Sequence, residues 1–401
     1  MSVSYPILIE QSNQILRELV DAGQQVLGYI YPHIPHELVM AHGLTPSLVR
    51  TNPTTVGAYE DSLQTFSCSL TRNLFSQRVN GSFPLLAGIV FSGNTCDALQ
   101  NVADVWRLRF PEDNVIRLTY PVGDSGDTAV QYLAKEIKAF SEALESLTGV
   151  AFQRHAFIEA ASIVGGIRRG LQLLYSARLV NPSLILYDTL SELVGDFMTA
   201  PTKTVLTRVE KKWAEVLDGL KKEKQDGVVE KIRTALLSQD MGGINLTSDS
   251  AVRIAMIGGM VEPTTIADLI NNVPGMKSNT VVLDVLTFGF RSVFTPSVET
   301  EGDPFESAAR SILGAPSEPT QEGLPKRVKL LKDILTHLSI GGLVVCEQSF
   351  CDPDEFEAPS TERAAAEVGV PIVRLPIDPE LSDRARLEGR LQTFLETLDA
   401  S

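Results

Sequence analysis

The sequence predicts an α/β protein: two parallel-sheet domains facing a cleft, with a largely helical middle segment. Three observations carry this. Short apolar runs alternate with longer stretches of helical periodicity on both sides of the chain's middle. The runs are continuously apolar rather than alternating, as in strands buried on both faces. From about residue 128 to residue 237 the pattern is helical almost throughout.

In chain order the strands are expected at 86–91 (LAGIVF), 115–119 (VIRLT), 253–257 (RIAMI), 280–285 (TVVLDV), 342–346 (GLVVC) and 371–375 (PIVRL). Each is short, mostly β-branched or aliphatic, and flanked by Gly, Pro or Asn. Helices are expected at 97–109, 263–272 and 324–338, with Pro263 in a first turn, where its missing N–H costs nothing. The chain thus divides into an N-terminal α/β domain (1–127), a helical middle segment with linker (128–250) and a C-terminal α/β domain (251–401). Residues 238–250 (SQDMGGINLTSDS) read as the linker, and 301–322, rich in Pro, Gly and acid, as an irregular excursion near the sheet edge. Gly165, Gly166 and Gly170 lie in a helical stretch and read as a packing feature. The Lys-rich run at 221–224 reads as a solvated helix face.

Composition excludes several functions. Hydrophobic residues make up 43% and charged residues 21%, values of an ordinary globular protein rather than a disordered or fibrous one. A net charge of −15 without a long basic block argues against a nucleic-acid partner. No apolar run approaches the ~20 residues of a bilayer span, and no basic-then-apolar signal layout opens the chain, so a cytoplasmic protein without a membrane partner is expected. Phosphate-loop, HExxH and GxSxG motifs are absent from the sequence. His33, His36 and His42 cluster in a Pro-bounded segment and are expected on a surface or helix face.

The four cysteines, Cys68, Cys96, Cys346 and Cys351, are too few for a disulfide framework in a chain this long. Their plain reading is as small buried hydrophobes. The local sequences point further. Residues 88–97 (GIVFSGNTCD) and 342–352 (GLVVCEQSFCD) share one plan: a Gly-led strand, a short loop, then Cys-Asp. Ligands of parallel α/β sheets sit beyond the carboxyl ends of strands, where both Cys-Asp pairs fall. Cys68, at the expected start of a helix, is placed where the thiolate is favoured. Three thiols on separated loops lack the tight spacing of a structural zinc site. They suit a catalytic iron–sulfur cluster better. Cys346, inside a strand pattern, reads as structural, with a fourth ligand as the alternative.

These residues resemble a known family. Gly28-Tyr29, Pro32, Pro35, Glu37-Leu38, Ala41, Gly43 and Pro46 are similar to the N-terminal signature of the 2-hydroxyacyl-CoA dehydratase and benzoyl-CoA reductase family. The resemblance continues through Cys68 with Arg72, Thr95-Cys96-Asp97 with Asn101 and Trp106, and Glu301-Gly302-Asp303-Pro304. It is strongest at Phe350-Cys351-Asp352-Pro353, with Glu357 and Pro359, and closes at Arg386–Glu388 and Thr393–Glu396. The resemblance implies flavodoxin-like domains and a [4Fe-4S] cluster held by Cys68, Cys96 and Cys351 in an interdomain cleft. It further implies a homologous larger subunit, a separate ATP-hydrolysing iron–sulfur activator, and an acyl-CoA substrate that is dehydrated or has its aromatic ring reduced. Within the family the chain looks most like the small subunit of the benzoyl-CoA reductase type. It has too few cysteines for the double-cubane branch. An acyl-CoA would need helix N-termini after the strands ending near Phe91 and Gly258, with Arg72 and Arg291 as expected charge partners at the cleft mouth.

Overall fold

Runs of apolar residues with both faces covered build two parallel sheets. The computed structural model describes residues 13–123, 126–247, 253–271, 273 and 280–399. The start of the chain, the last three residues of the expected linker, residues 251–252 and the expected helix end at 272 lie outside these. The first half holds α1 (Gln14–Asp21), β1 (Val26–Tyr29), α2 (His36–Ala41), β2 (Thr45–Leu48), α3 (Ser69–Val79), β3 (Gly88–Gly93), α4 (Asp97–Arg109) and β4 (Val115–Thr119). Its strands pair in parallel in the order β2-β1-β3-β4. The central strands β1 and β3 are wholly buried, which explains their continuous apolarity.

Five helices follow: α5 (Asp127–Thr148), α6 (Arg154–Val180), α7 (Tyr187–Thr199), α8 (Lys203–Lys222) and α9 (Asp226–Ser238). The second half holds β5 (Ile254–Gly258), α10 (Pro263–Asn271), β6 (Val281–Val285), a π-helical turn (Thr287–Arg291), α11 (Pro304–Leu313), α12 (Leu324–His337), β7 (Gly342–Gln348), α13 (Asp352–Glu367), β8 (Ile372–Ile377) and α14 (Arg384–Asp399). Its strands pair in the order β6-β5-β7-β8. The two sheets therefore share one topology, with β3 and β7 in equivalent places. The likeness between residues 88–97 and 342–352 is positional.

Helix α6 is the spine between the sheets. It packs on α2, α7, α8, α9 and β6, and its Tyr175 hydroxyl donates to Asp284 Oδ2 on β6 at 2.7 Å. The glycine reading holds. A Cβ on Gly170 would meet Val209 Cγ1 at 2.4 Å and one on Gly166 would meet Leu206 Cδ1 at 2.9 Å, so the bare face lets α8 approach. One core runs from the first sheet through α6 to the second sheet. A smaller one fills the space between the second sheet, α10 and α14. The Lys-rich run is solvent-exposed, as expected.

The expectation for 301–322 needs correction. Residues Pro304–Leu313 form α11. Asp303 caps it by accepting from the Phe305 and Glu306 N–H groups at 2.8 and 3.2 Å, and Pro304 opens its first turn. Part of what reads as an irregular excursion is a helix start, while 314–322 is irregular as expected. No described helix is long and apolar enough to cross a membrane.

Candidate functional site

Three of the four cysteines cap helices. Cys68 precedes α3, Cys96 precedes α4 and Cys351 precedes α13. Cys96 and Cys351 follow the ends of the equivalent strands β3 and β7 by three residues each. The fold thus aims three helix N-termini, each with partly positive N–H groups, at sulfur. Two hydrogen bonds lock the loops together: the Ser69 N–H donates to Ser349 O at 3.0 Å, and the Gln348 side-chain amide donates to the Ser69 hydroxyl.

The thiols sense one another. Cys68 and Cys351 are buried and hydrogen-bonded. The Cys351 hydrogen bond lowers the Cys68 pKa, against burial and with help from the Leu70 and Thr71 N–H groups. The same bond, with burial, raises Cys351 well above the ordinary thiol range. The pair is thus polarised towards a Cys68 thiolate with Cys351 as donor. Cys96 is partly exposed, accepts from the Leu99 N–H at 3.5 Å, and is pushed up to about 12 by burial with a smaller contribution from the nearby Cys68 charge. Cys346 is separate. It lies within β7 and packs into the smaller core, where burial raises its pKa.

Two buried carboxylates act on the thiols. Asp354, one turn into α13, interacts with Cys351 and accepts from the Gln348 N–H at 3.3 Å; burial raises it to about 6. A Cβ on Gly259 would meet Asp354 Oδ1 at 2.8 Å, so this glycine makes room for a carboxylate. Glu318 is buried in the connection between α11 and α12. Sequence reasoning missed both acids. Asp354 carried a weak signal, three residues after a cysteine at a strand end; Glu318 carried none.

Two sequence expectations fail here. The histidines are buried, not superficial, because α2 is packed under α6. His42 bridges Ser141 Oγ (2.8 Å) and Val150 O (2.7 Å), His36 meets the Tyr29 hydroxyl at 3.2 Å, and His33 faces Glu318 at 3.1 Å. Nor are Arg72 and Arg291 free cations at a cleft mouth. Arg291 is 2% exposed and donates to Gly258 O at 3.1 Å. Arg72 donates to the Tyr59 hydroxyl and Thr65 O, both at 3.0 Å, and lies over the rings of Tyr59 and Phe350.

Among the described residues, no three His, Cys, Asp or Glu side chains converge tightly enough to grip a single ion. A single zinc ion needs its sulfur donors within ~2.3 Å of one point. A polynuclear iron–sulfur cluster gives each thiolate its own iron and accepts a wider set. Soft sulfur donors on three helix N-termini are the donor type such a cluster uses.

Fold and site together define a duplicated-topology α/β protein whose halves present three thiols at strand and helix ends. A family model for the 2-hydroxyglutaryl-CoA dehydratase D-component matches residues 32–398, and the chain belongs to that family. It is 24% identical to the β subunit of lactoyl-CoA dehydratase from Anaerotignum propionicum over 391 residues, 94% of this chain and 93% of the relative. It is 20% identical to the β subunit of (R)-phenyllactyl-CoA dehydratase from Clostridium sporogenes over 390 residues, 96% and 94% of the two chains. With one of the subunits of benzoyl-CoA reductase from Thauera aromatica the identity is 23% over 164 residues, 40% of this chain and 42% of the relative.

Proposed function

We propose that this chain is the iron–sulfur subunit of an ATP-dependent acyl-CoA dehydratase or reductase. In this reading Cys68, Cys96 and Cys351 hold a [4Fe-4S] cluster, and Cys346 stays a core residue. Its partners are a homologous larger subunit and a separate ATP-hydrolysing iron–sulfur activator, in the cytoplasm. Residues 1–127 and 251–401 act as the two α/β domains joined by 128–250. The observation that carries the reading is the gathering of three cysteines from three loops, each at a helix N-terminus, into one interacting set.

Such a cluster, when bound, supplies one-electron exchange at low potential. The chain's own residues do the rest. Helix N-termini stabilise thiolate charge, the Ser69–Ser349 and Gln348–Ser69 bonds fix the spacing of the Cys68 and Cys351 loops, and the buried surroundings exclude water. Exposed aromatic rings flank the cysteines in sequence: Phe66, Phe350 and Phe356, the last 81% exposed. Near-complete alignment with two dehydratase β subunits favours a 2-hydroxyacyl-CoA substrate over an aromatic ring.

A second reading has one observation in its favour. The two arginines expected to meet the coenzyme A phosphates are occupied within the protein. This favours a subunit that relays electrons or supports the complex while its partner holds the thioester.

The test is anaerobic reconstitution with the larger subunit, the activator and ATP, assayed on a 2-hydroxyacyl-CoA and on benzoyl-CoA. Turnover of one thioester is expected only with all components present. Full turnover by the isolated chain with a chemical reductant would overturn the dependence on partners.

A further inference from the structure

Glu318 is an acid with no part in holding the three sulfurs, yet the chain buries it at 1% exposure; its partner Thr287 also donates its N–H to Gly259 O at 3.0 Å, on the glycine that faces Asp354 near Cys351. Both halves of the molecule converge on the Glu318 carboxylate. From the first half, His33 Nε2 lies 3.1 Å away and the Tyr31 hydroxyl hydrogen-bonds to it. From the second, the Thr287 hydroxyl donates at 2.6 Å. Tyr120 braces the group, donating to His33 O at 2.8 Å with its ring edge-on to Tyr31. Burial alone would raise the Glu318 pKa; His33, Thr287 and Tyr31 instead hold it down to about 2. Burying an ionised carboxylate costs several kcal/mol unless partners offset it; here Thr287 donates to Oε2 and His33 lies against Oε1. Its charge acts on Cys96, on Asp354 next to Cys351, and on the buried Arg291.

We infer that Glu318, fixed by His33 and Thr287 and joined through Thr287 and Gly259 to the Asp354 side of the thiolate site, holds the reduction potential of that site low. This rests on the cluster assignment proposed above. Reduction there takes up one electron from a low-potential one-electron donor and makes the site more negative by one charge. A fixed negative charge in a poorly screened interior opposes that uptake. Arg291 acts in the opposite sense, as a buried cation facing the same acid and Asp354.

The experiment is a dithionite titration of the full chain, loaded anaerobically with iron and sulfide, following the cluster's electron paramagnetic resonance signal. Glu318→Gln keeps the shape and removes the charge, and its midpoint is expected to shift upward. Glu318→Asp keeps the charge, and its midpoint is expected to stay near that of the parent chain. Arg291→Gln is expected to shift the midpoint downward, so the inference stays testable should Glu318→Gln not fold. A loaded Glu318→Gln protein with the parent midpoint would reduce Glu318 to a stitch between the halves and overturn the inference alone. Failure of the parent chain to take up any cluster overturns the underlying reading instead.

Discussion

Phe350 holds a backbone conformation that only glycine and a few polar residues adopt easily, with φ at 61°. It is the third residue of a tight turn closed by the Cys351 N–H on Gln348 O at 2.9 Å, a place where glycine is usual. Strain of this kind persists where the surroundings fix it. Here the Arg72 guanidinium lies 5.1 Å from the Phe350 ring centre, and Arg72 sits one turn beyond Cys68. Ring and cation therefore tie the Cys351 turn to the Cys68 helix. Phe350→Gly is expected to change unfolding stability by less than about 1 kcal/mol, because relieved strain offsets the lost stacking. Iron retention on dilution should nevertheless fall; unchanged retention would show that the turn needs no such clamp. The cysteines divide more sharply. Cys68→Ala, Cys96→Ala and Cys351→Ala should each lose iron by metal analysis, while Cys346→Ala keeps it. Loss in Cys346→Ala would promote that residue to a ligand.

Elements are held in register by close approaches of bare backbone. A Cβ on Gly258, at the end of β5, would lie 2.2 Å from the Cys346 carbonyl oxygen on β7, and backbone cannot swing aside. Gly258→Ala should cost about 3 kcal/mol in chemical unfolding. By contrast Gly389, inside α14, has open space around it, and Gly389→Ala should gain about 0.5–1 kcal/mol. Equal effects of the two substitutions would contradict this packing. Elements were also where the sequence was most legible. Five of the six expected strands begin within one residue of their observed starts, and the run placed at 86–91 becomes β3 two residues later. Strand β2 escaped notice because Thr45, Pro46 and Ser47 break the apolar run; Pro46 is tolerated there since β2 is an edge. Strand β1 entered only through the family signature. Helix α11 was missed because Asp303-Pro304 was weighed as turn composition rather than as a cap and first turn. The cysteine trio was legible because each thiol stands beside a strand end or helix start. The Glu318 assembly was not, since its partners His33 and Thr287 approach only through the tertiary fold.

Across the whole molecule, the two sheets meet through pairs that each half supplies singly: Ser69 with Gln348, Asn73 with Glu380 at 2.6 Å, Arg50 with Glu262, and His33 with Glu318. The last pair makes stability depend on pH in a definite direction. Glu318 falls from an ordinary 4.5 to about 2 on folding, so its contribution is full above about 4.5 and is lost as pH falls towards 2. The shift corresponds to about 3 kcal/mol. Glu318→Gln should therefore be less stable near neutrality and lose stability less steeply between pH 4.5 and 2, as read by urea unfolding. Parallel pH profiles would show that the carboxylate is not held ionised.

The central claim is that three cysteines from two topologically equivalent halves hold one cluster. Iron and sulfide analysis of the anaerobically purified full chain, supplied with both elements, tests it most directly. About four iron and four sulfide per chain are expected. A cooperatively folded chain that remains free of iron under those conditions would contradict the account.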